Sequence, residues 1–154
     1  MTDSAGGSPA DQAARGGLAG GDGPDGDGPG REYFDADPTS RSLGIALVGT
    51  GPGWATLRMS VRGDMVNGHG TAHGGYLFLL ADSAFACACN SHGPVTVAAG
   101  ADIDFVRPAH EGDVLTATSR ERTRLGRGGI YDVTITRGDD VLAEFRGRSR
   151  ALRT

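Results

Sequence analysis

One carboxylate invites chemistry before anything else does. Asp82 lies inside an apolar run, Tyr76-Leu77-Phe78-Leu79-Leu80-Ala81 before it and Ser83-Ala84-Phe85-Ala86-Cys87-Ala88-Cys89 after it. At helical spacing its neighbours one turn away are Phe78, Leu79, Phe85 and Ala86, and the run contains no cation. A carboxylate in such surroundings is costly in its charged form, so its pKa is expected to move upward, toward that of a useful general base. A plainer reading puts Asp82 beside Ser83 on a narrow exposed stripe. Just ahead of the run stands His73-Gly74-Gly75. Glycines leave the backbone amides sterically open, and the first N–H groups of a helix point outward without partners. Such donors suit the oxyanion that develops when a carbonyl is attacked. Taken singly, a Gly-Gly pair permits a tight turn, and His73 reads as a loop histidine like His69, His92 and His110. One acid and scattered histidines offer no paired-carboxylate or metal-ligand spacing, so no metal is expected. Cys87 and Cys89 diverge on one helix, which implies neither a disulfide nor a zinc site.

The elements that must position these groups follow from the pattern of the chain. Residues 31–42 read as a short helical lead-in, with Asp37-Pro38 as N-cap and first helical position and Gly44 as the stop. Residues 45–48 read as a strand broken by Gly49-Thr50-Gly51-Pro52-Gly53. From 54 to 62 the chain alternates, with Leu57, Met59 and Val61 on one face and Thr56, Arg58, Ser60 and Arg62 on the other, a half-buried strand. Residues 66–72 are polar and glycine-rich, hence a loop. The helix over 76–89 ends near Asn90-Ser91-His92-Gly93. Being apolar nearly all round, it must be wrapped by other structure. Strands follow at 95–107, stopped by Pro108, and at 114–124. After the turn at Gly126-Arg127-Gly128-Gly129 come strands at 130–137 and, past Gly138-Asp139-Asp140, at 141–152. Two strands, a buried helix and four long strands with short connections predict an α+β fold, one antiparallel sheet curled around one central helix.

The chain has 154 residues, enough for one domain with a single core. Residues 1–30 hold ten of the 27 glycines, five Asp and one Arg, and almost no large apolar side chain. They cannot offset their ordering entropy by burial and read as a disordered acidic tail, leaving 31–154 as the folded domain. The remainder carries 14 basic and 14 acidic residues, a neutral balance that argues against nucleic-acid binding. All 15 basic residues are arginine, whose planar fork suits phosphate. No signal segment and no apolar stretch of bilayer length is present, so a cytoplasmic protein without a membrane partner is expected.

The combination is more specific than its parts. Asn67-Gly68-His69-Gly70-Thr71-Ala72-His73-Gly74-Gly75 followed by Leu80-Ala81-Asp82-Ser83-Ala84-Phe85 resembles the PaaI-type thioesterases of phenylacetate degradation, within the hotdog superfamily. The likeness runs on through Asp104-Phe105-Val106-Arg107-Pro108, Gly112-Asp113, Gly129-Ile130-Tyr131-Asp132-Val133 and Phe145-Arg146-Gly147, covering roughly residues 40–150. The resemblance implies a hotdog fold and an acyl-CoA thioesterase. It assigns Asp82 as base or nucleophile, the Gly74 amide as the group that polarises the thioester carbonyl, Asn67 as holder of substrate or water, and His73 as an orienting residue. It also implies a site at a dimer interface, with Asp82 facing Asn67 and Gly74 of the other subunit, and two dimers forming a tetramer. No cofactor is implied beyond the coenzyme A of the substrate.

Physical chemistry is compatible with those roles, because a thioester is already activated and one base plus an oxyanion hole can suffice. Arg107 with the adjoining Pro108, Arg124, Arg127 and Arg148 are candidate grips for the CoA phosphates, with open amides at Gly126 and Gly128. The acyl pocket is expected beside the central helix near Gly75, with Tyr76 and Phe78 as walls. The expected reaction is hydrolysis of phenylacetyl-CoA, hydroxylated or plain, or of a similar aryl or medium-chain acyl-CoA. A hotdog hydratase is disfavoured because its Asp-His loop pattern is absent. The alternative of another class is a non-catalytic acyl-CoA-sensing module, which would bind ligand without turnover.

Overall fold

A computed structural model of the chain describes residues 27–154. The expected tail lies outside these residues except at its last positions, and there the boundary moves. Helix α1 spans Pro29–Asp35, starting two residues before the expected domain edge at 31. Gly30 is buried against the core of the domain. A Cβ at that position would sit 2.6 Å from Thr50 Oγ1 and 3.0 Å from the Cys87 carbonyl oxygen, so only glycine lets α1 dock this closely. Helix α2, Pro38–Ser42, begins as read from Asp37-Pro38. Asp37 caps it by accepting from Thr39 N at 3.0 Å, and Ser40 Oγ donates to Asp37 Oδ2 at 2.6 Å.

Strand β1 is Ala46–Gly51 and β2 is Trp54–Ser60. The expected break at Gly49 is absent. The turn is confined to Pro52-Gly53, where Gly53 has φ +77°. Gly49 and Gly51 stay in the strand because the Trp54 indole lies across them: a Cβ would come within 3.0 Å of the ring at Gly49 and 2.5 Å at Gly51. The glycines make room for a ring instead of turning the chain. In β2 the alternation holds, with Ala55, Leu57 and Met59 buried and Arg58 and Ser60 exposed.

Helix α3, Gly74–Asn90, is the central element. Strands β3 (Thr96–Phe105), β4 (Val114–Leu125), β5 (Gly128–Arg137) and β6 (Asp140–Ala151) complete one six-stranded antiparallel sheet in the order β1-β2-β4-β5-β6-β3. The fold is therefore α+β, a hotdog: the sheet curls around α3, and α1 packs on the helix as well. Leu77, Leu80, Ala84, Phe85 and Ala88 of α3 meet Leu57, Leu115, Val133, Ile135 and Phe145 of the sheet. At the tightest point Phe85 lies on Gly147, where an added Cβ would be 2.7–2.8 Å from three ring carbons.

One expectation needs correcting. The helix is not wrapped on every side within one chain. Phe78 is 37% exposed, and Leu79, Asp82 and Ala86 are half-buried along the same stripe. Strand β3 is similarly open. It forms an edge of the sheet, and Val97 and Phe105 are exposed along it, with Val95 exposed just before it.

Candidate active site

The helix N-terminus is built by its own cap. His73 Nδ1 accepts from Gly75 N at 3.1 Å, and the His73 carbonyl accepts from Tyr76 N at 2.9 Å. An Nδ1 that accepts a hydrogen bond carries no hydrogen, so the ring hydrogen of a neutral His73 resides on Nε2. These bonds consume the amides of Gly75 and Tyr76. The Gly74 amide has no acceptor among the described residues. Of the two glycine amides expected to be open, Gly74 alone remains open, held by a helix that cannot turn it away.

Asn67 is pinned in a complementary way. Its Oδ1 accepts from His69 N at 2.9 Å, Thr71 N at 3.2 Å and Thr71 Oγ1 at 3.3 Å. That fixes the amide plane and leaves Nδ2 as a donor with no acceptor among the described residues. The loop is held from behind by Ala72 N to the Ala109 carbonyl at 2.8 Å and His73 N to the Met65 carbonyl at 2.7 Å. Asn67, Gly74, Arg107 and Pro108 then line one cleft of about 330 Å³, with Phe105 as an apolar wall.

Asp82 lies eight residues beyond Gly74, about 12 Å along the helix axis at 1.5 Å per residue. It lines a different cleft, of about 510 Å³, together with Phe85, Ala86, Cys89, Val97 and the α1 residues Glu32 and Tyr33. No hydrogen bond reaches its carboxylate from the described residues. Burial pushes the Asp82 carboxyl above the ordinary carboxylate range, and the nearby Asp37 carboxylate pushes it further. Behind it, Ser83 is buried, with its Oγ 3.3 Å from that of Ser40 on α2. That contact ties α2, the helix Asp37 caps, to α3 at the residue next to Asp82.

The arginines separate. Arg124, Gly126, Arg127 and Gly128 line a third cleft of about 310 Å³, which shares Cys89 and Thr96 with the Asp82 cleft. Arg107 sits in the Asn67–Gly74 cleft and donates back to the Val141 carbonyl at 2.7 Å. Arg148 lines none of these clefts; it pairs with Asp102 at 2.8 Å. Tyr76 packs partly buried against the core, and Phe78 stacks edge-on against Phe145 with centroids 5.3 Å apart. Neither lines the Asp82 cleft. A larger hollow of about 710 Å³ is lined by charges such as Arg120, Asp132 and Arg146, and none of the candidate residues lines it. Among the described residues no cluster of His, Cys, Asp or Glu could hold a metal ion.

An unpartnered amide at a helix start and a carboxylate of raised pKa on the same helix can polarise and attack an activated carbonyl. Comparison with known proteins gives the family and the class of reaction. Residues 69–144 match the family described as the Thioesterase superfamily. The chain is 42% identical over 120 residues to the acyl-coenzyme A thioesterase PaaI of Escherichia coli, covering 77% of this chain and 86% of that protein. It belongs to the PaaI-type acyl-CoA thioesterases of the hotdog superfamily. The thioesterase is also similar to the solved structure of the E. coli PaaI protein from the phenylacetic acid degradation operon. That match has a TM-score of 0.79 and 40% identity over 81% of this chain and 91% of that one. A mutant of the phenylacetic acid degradation protein PaaI from Thermus thermophilus matches with a TM-score of 0.73 and 38% identity over 75% of this chain and 100% of that one.

Sequence reasoning missed the neighbours that α1 and α2 bring to Asp82. Glu32, Tyr33 and Asp37 were read as part of a helical lead-in, and nothing in their spacing places them beside Asp82. Only the docking of α1 and α2 does so. Among the described residues no helix is long and apolar enough to cross a membrane.

Proposed function

We propose that the thioesterase hydrolyses phenylacetyl-CoA, plain or ring-hydroxylated, or an aryl or medium-chain acyl-CoA of similar size, in a site assembled from two copies of the chain. The observation that carries this reading is the separation of Asp82 and Gly74. Each is an unpartnered group in a different cleft, and about 12 Å of rigid helix keeps them apart within one chain. A second copy can bring its Gly74 amide and Asn67 Nδ2 to the Asp82 of the first. The free edge of β3 and the exposed Val95, Val97 and Phe105 support a dimer joined there, because an apolar sheet edge is a liability unless covered. The half-covered stripe of Phe78 and Leu79 supports further association into a tetramer.

In the proposed mechanism the thioester carbonyl lies on Gly74 N–H, which stabilises the developing negative charge. Asp82 either takes a proton from the attacking water or attacks the carbonyl carbon itself, giving an anhydride that water then opens. Burial raises its pKa, which makes the ionised carboxylate a stronger base. The leaving group is a thiolate, and thiols are acidic enough, about 8.5 for the cysteine side chain, that departure demands little acid catalysis. The cleft of Arg124 and Arg127, adjoining that of Asp82, supports a role in holding the CoA phosphates. Two free, buried thiols suit a reducing, cytoplasmic setting.

The test is free-thiol release from phenylacetyl-, hydroxyphenylacetyl-, medium-chain and acetyl-CoA, with wild type and Asp82→Asn. Turnover best on the aryl esters, with a loss of about 10² or more in the variant, is expected. Binding of the esters without hydrolysis would replace this reading with the sensing module.

A further inference from the structure

Helix α1 is a built wall of the Asp82 cleft, and the two polar side chains it contributes there, Glu32 and Tyr33, hold no hydrogen bond among the described residues. Gly30 seats the helix against Cys87 of α3, and Phe34 anchors it on the core, which leaves Glu32 and Tyr33 at the cleft. The other polar side chains of that cleft are spent. Asn90 Nδ2 donates to the carbonyls of Ala86 at 2.9 Å and Thr96 at 3.0 Å, while its Oδ1 accepts from Thr96 N at 3.0 Å. Thr96 Oγ1 donates to the Pro94 carbonyl at 2.9 Å. Apart from Asp82 itself, Glu32 and Tyr33 are the polar side chains lining the cleft that hold no hydrogen bond among the described residues. The remaining lining is apolar, with Phe85, Ala86 and Val97 among it. The Tyr33 phenol is pushed up to about 12, first by burial and then by the neighbouring acids, Asp37 ahead of Asp82. It therefore remains a neutral hydrogen-bond donor at any working pH.

We infer that Tyr33, seconded by Glu32, is a specificity-determining residue of this thioesterase, reading a hydroxyl carried by the acyl group away from the thioester. The inference rests on the reading of the Asp82 cleft as the acyl site. An otherwise apolar cleft can tell a hydroxyl from a hydrogen only through side chains able to bond it. The phenol can donate to the hydroxyl oxygen, and the Glu32 carboxylate can accept its hydrogen. A purely apolar wall discriminates weakly against an added hydroxyl, whereas a site that bonds one is left unpaired when it is missing.

The experiment compares matched ester pairs differing by one hydroxyl, phenylacetyl-CoA with 4-hydroxyphenylacetyl-CoA and hexanoyl-CoA with 6-hydroxyhexanoyl-CoA. Wild type, Tyr33→Phe, Glu32→Gln and Asp82→Asn are assayed on each. In at least one pair, Tyr33→Phe is expected to lower the ratio of kcat/KM for the hydroxylated ester over its plain partner by about tenfold, through loss of one hydrogen bond, with Glu32→Gln moving the ratio the same way. Ratios left within twofold of wild type in both pairs by Tyr33→Phe overturn the inference. If that happens while Asp82→Asn abolishes turnover, the Asp82 reading stands and only the role of α1 falls. If Asp82→Asn keeps wild-type rates, or wild type hydrolyses none of the four esters, the cleft is not the reaction site and both readings fall.

Discussion

Replacing Gly147 with alanine tests the contact on which the central helix rests. The added methyl would lie 2.7–2.8 Å from three carbons of the Phe85 ring, whereas carbon atoms settle at about 3.5–4.0 Å. The ring would have to retreat by about 0.7 Å or more. Retreat is blocked on the core side, where Phe85, 1% exposed, packs against Tyr131 and Phe145 at centroid distances of 5.5 and 5.9 Å. Overpacking of this kind costs about 1–3 kcal/mol, and a rigid surround places Gly147→Ala in the upper half of that range. At about 4 °C per kcal/mol for a domain of this size, Tm is expected to fall by about 8–12 °C. Activity should suffer too. Phe85 is three residues from Asp82 on the same helix, and a displacement approaching 1 Å of a catalytic group costs up to about 10² in rate. Thermal unfolding followed by circular dichroism, at matched protein concentration, gives the first quantity, and thiol release the second. Adding Phe85→Leu to Gly147→Ala should recover part of the lost Tm, because the smaller side chain vacates the collision. A Tm within about 1 °C of wild type for Gly147→Ala would refute the claim that this close approach is rigid.

Further outcomes concern pH and truncation. The acid limb of the kcat/KM–pH profile should lie above the ordinary carboxylate range, because Asp82 must be ionised to act and its pKa is raised. Asp37→Asn, which keeps an acceptor for Thr39 N, removes one of the raising influences and should move that limb to lower pH. The movement should be incomplete, since burial is the larger cause; a limb that stays put would separate Asp37 from the site. Deleting residues 1–26 should leave thiol release within about a factor of ten. Deleting through residue 30 removes the Gly28 carbonyl that accepts from Glu32 N at 3.0 Å, together with Pro29 and the buried Gly30. A lower Tm and weaker discrimination among acyl groups are expected from the longer deletion, both measurable on the same preparations.

Much of the fold was legible because its strongest signals are periodic. The alternation of Leu57, Met59 and Val61 marked the buried face of β2, and the long apolar run marked α3. The errors came where one residue type serves two purposes. Glycine usually marks a turn, yet Gly49 and Gly51 lie in a strand beneath Trp54, and Gly30 belongs to a docked helix instead of a tail. The stretch Phe145-Arg146-Gly147 was legible as a resemblance only; its physical meaning, a floor for the Phe85 ring, required the sheet register that sets β6 under α3. The site divides in the same way. Asp82 and Gly74 stood out because an acid in an apolar run and glycines before a helix are local features. Tyr33, Glu32 and Asp37 are ordinary surface residues in sequence, and only long-range packing, which no spacing rule encodes, brings them near Asp82. The arginines were the least legible, since a phosphate grip and a cross-strand ion pair such as Arg148–Asp102 look alike along a chain.

The burial of the two cysteines has a consequence for an enzyme whose product is itself a thiol. Cys87 and Cys89 are both pushed up to about 12, chiefly by burial, and Cys89 borders the very cleft in which CoA would be released. At pH 7 a thiol of that acidity is ionised to roughly one part in 10⁵, and it is the thiolate that exchanges with disulfides. Oxidised coenzyme A or a disulfide reporter dye would find almost nothing to react with on the folded protein. Colour developed in a coupled assay therefore counts turnovers and not enzyme, and under oxidative stress the catalyst would not become covalently tethered to its own leaving group.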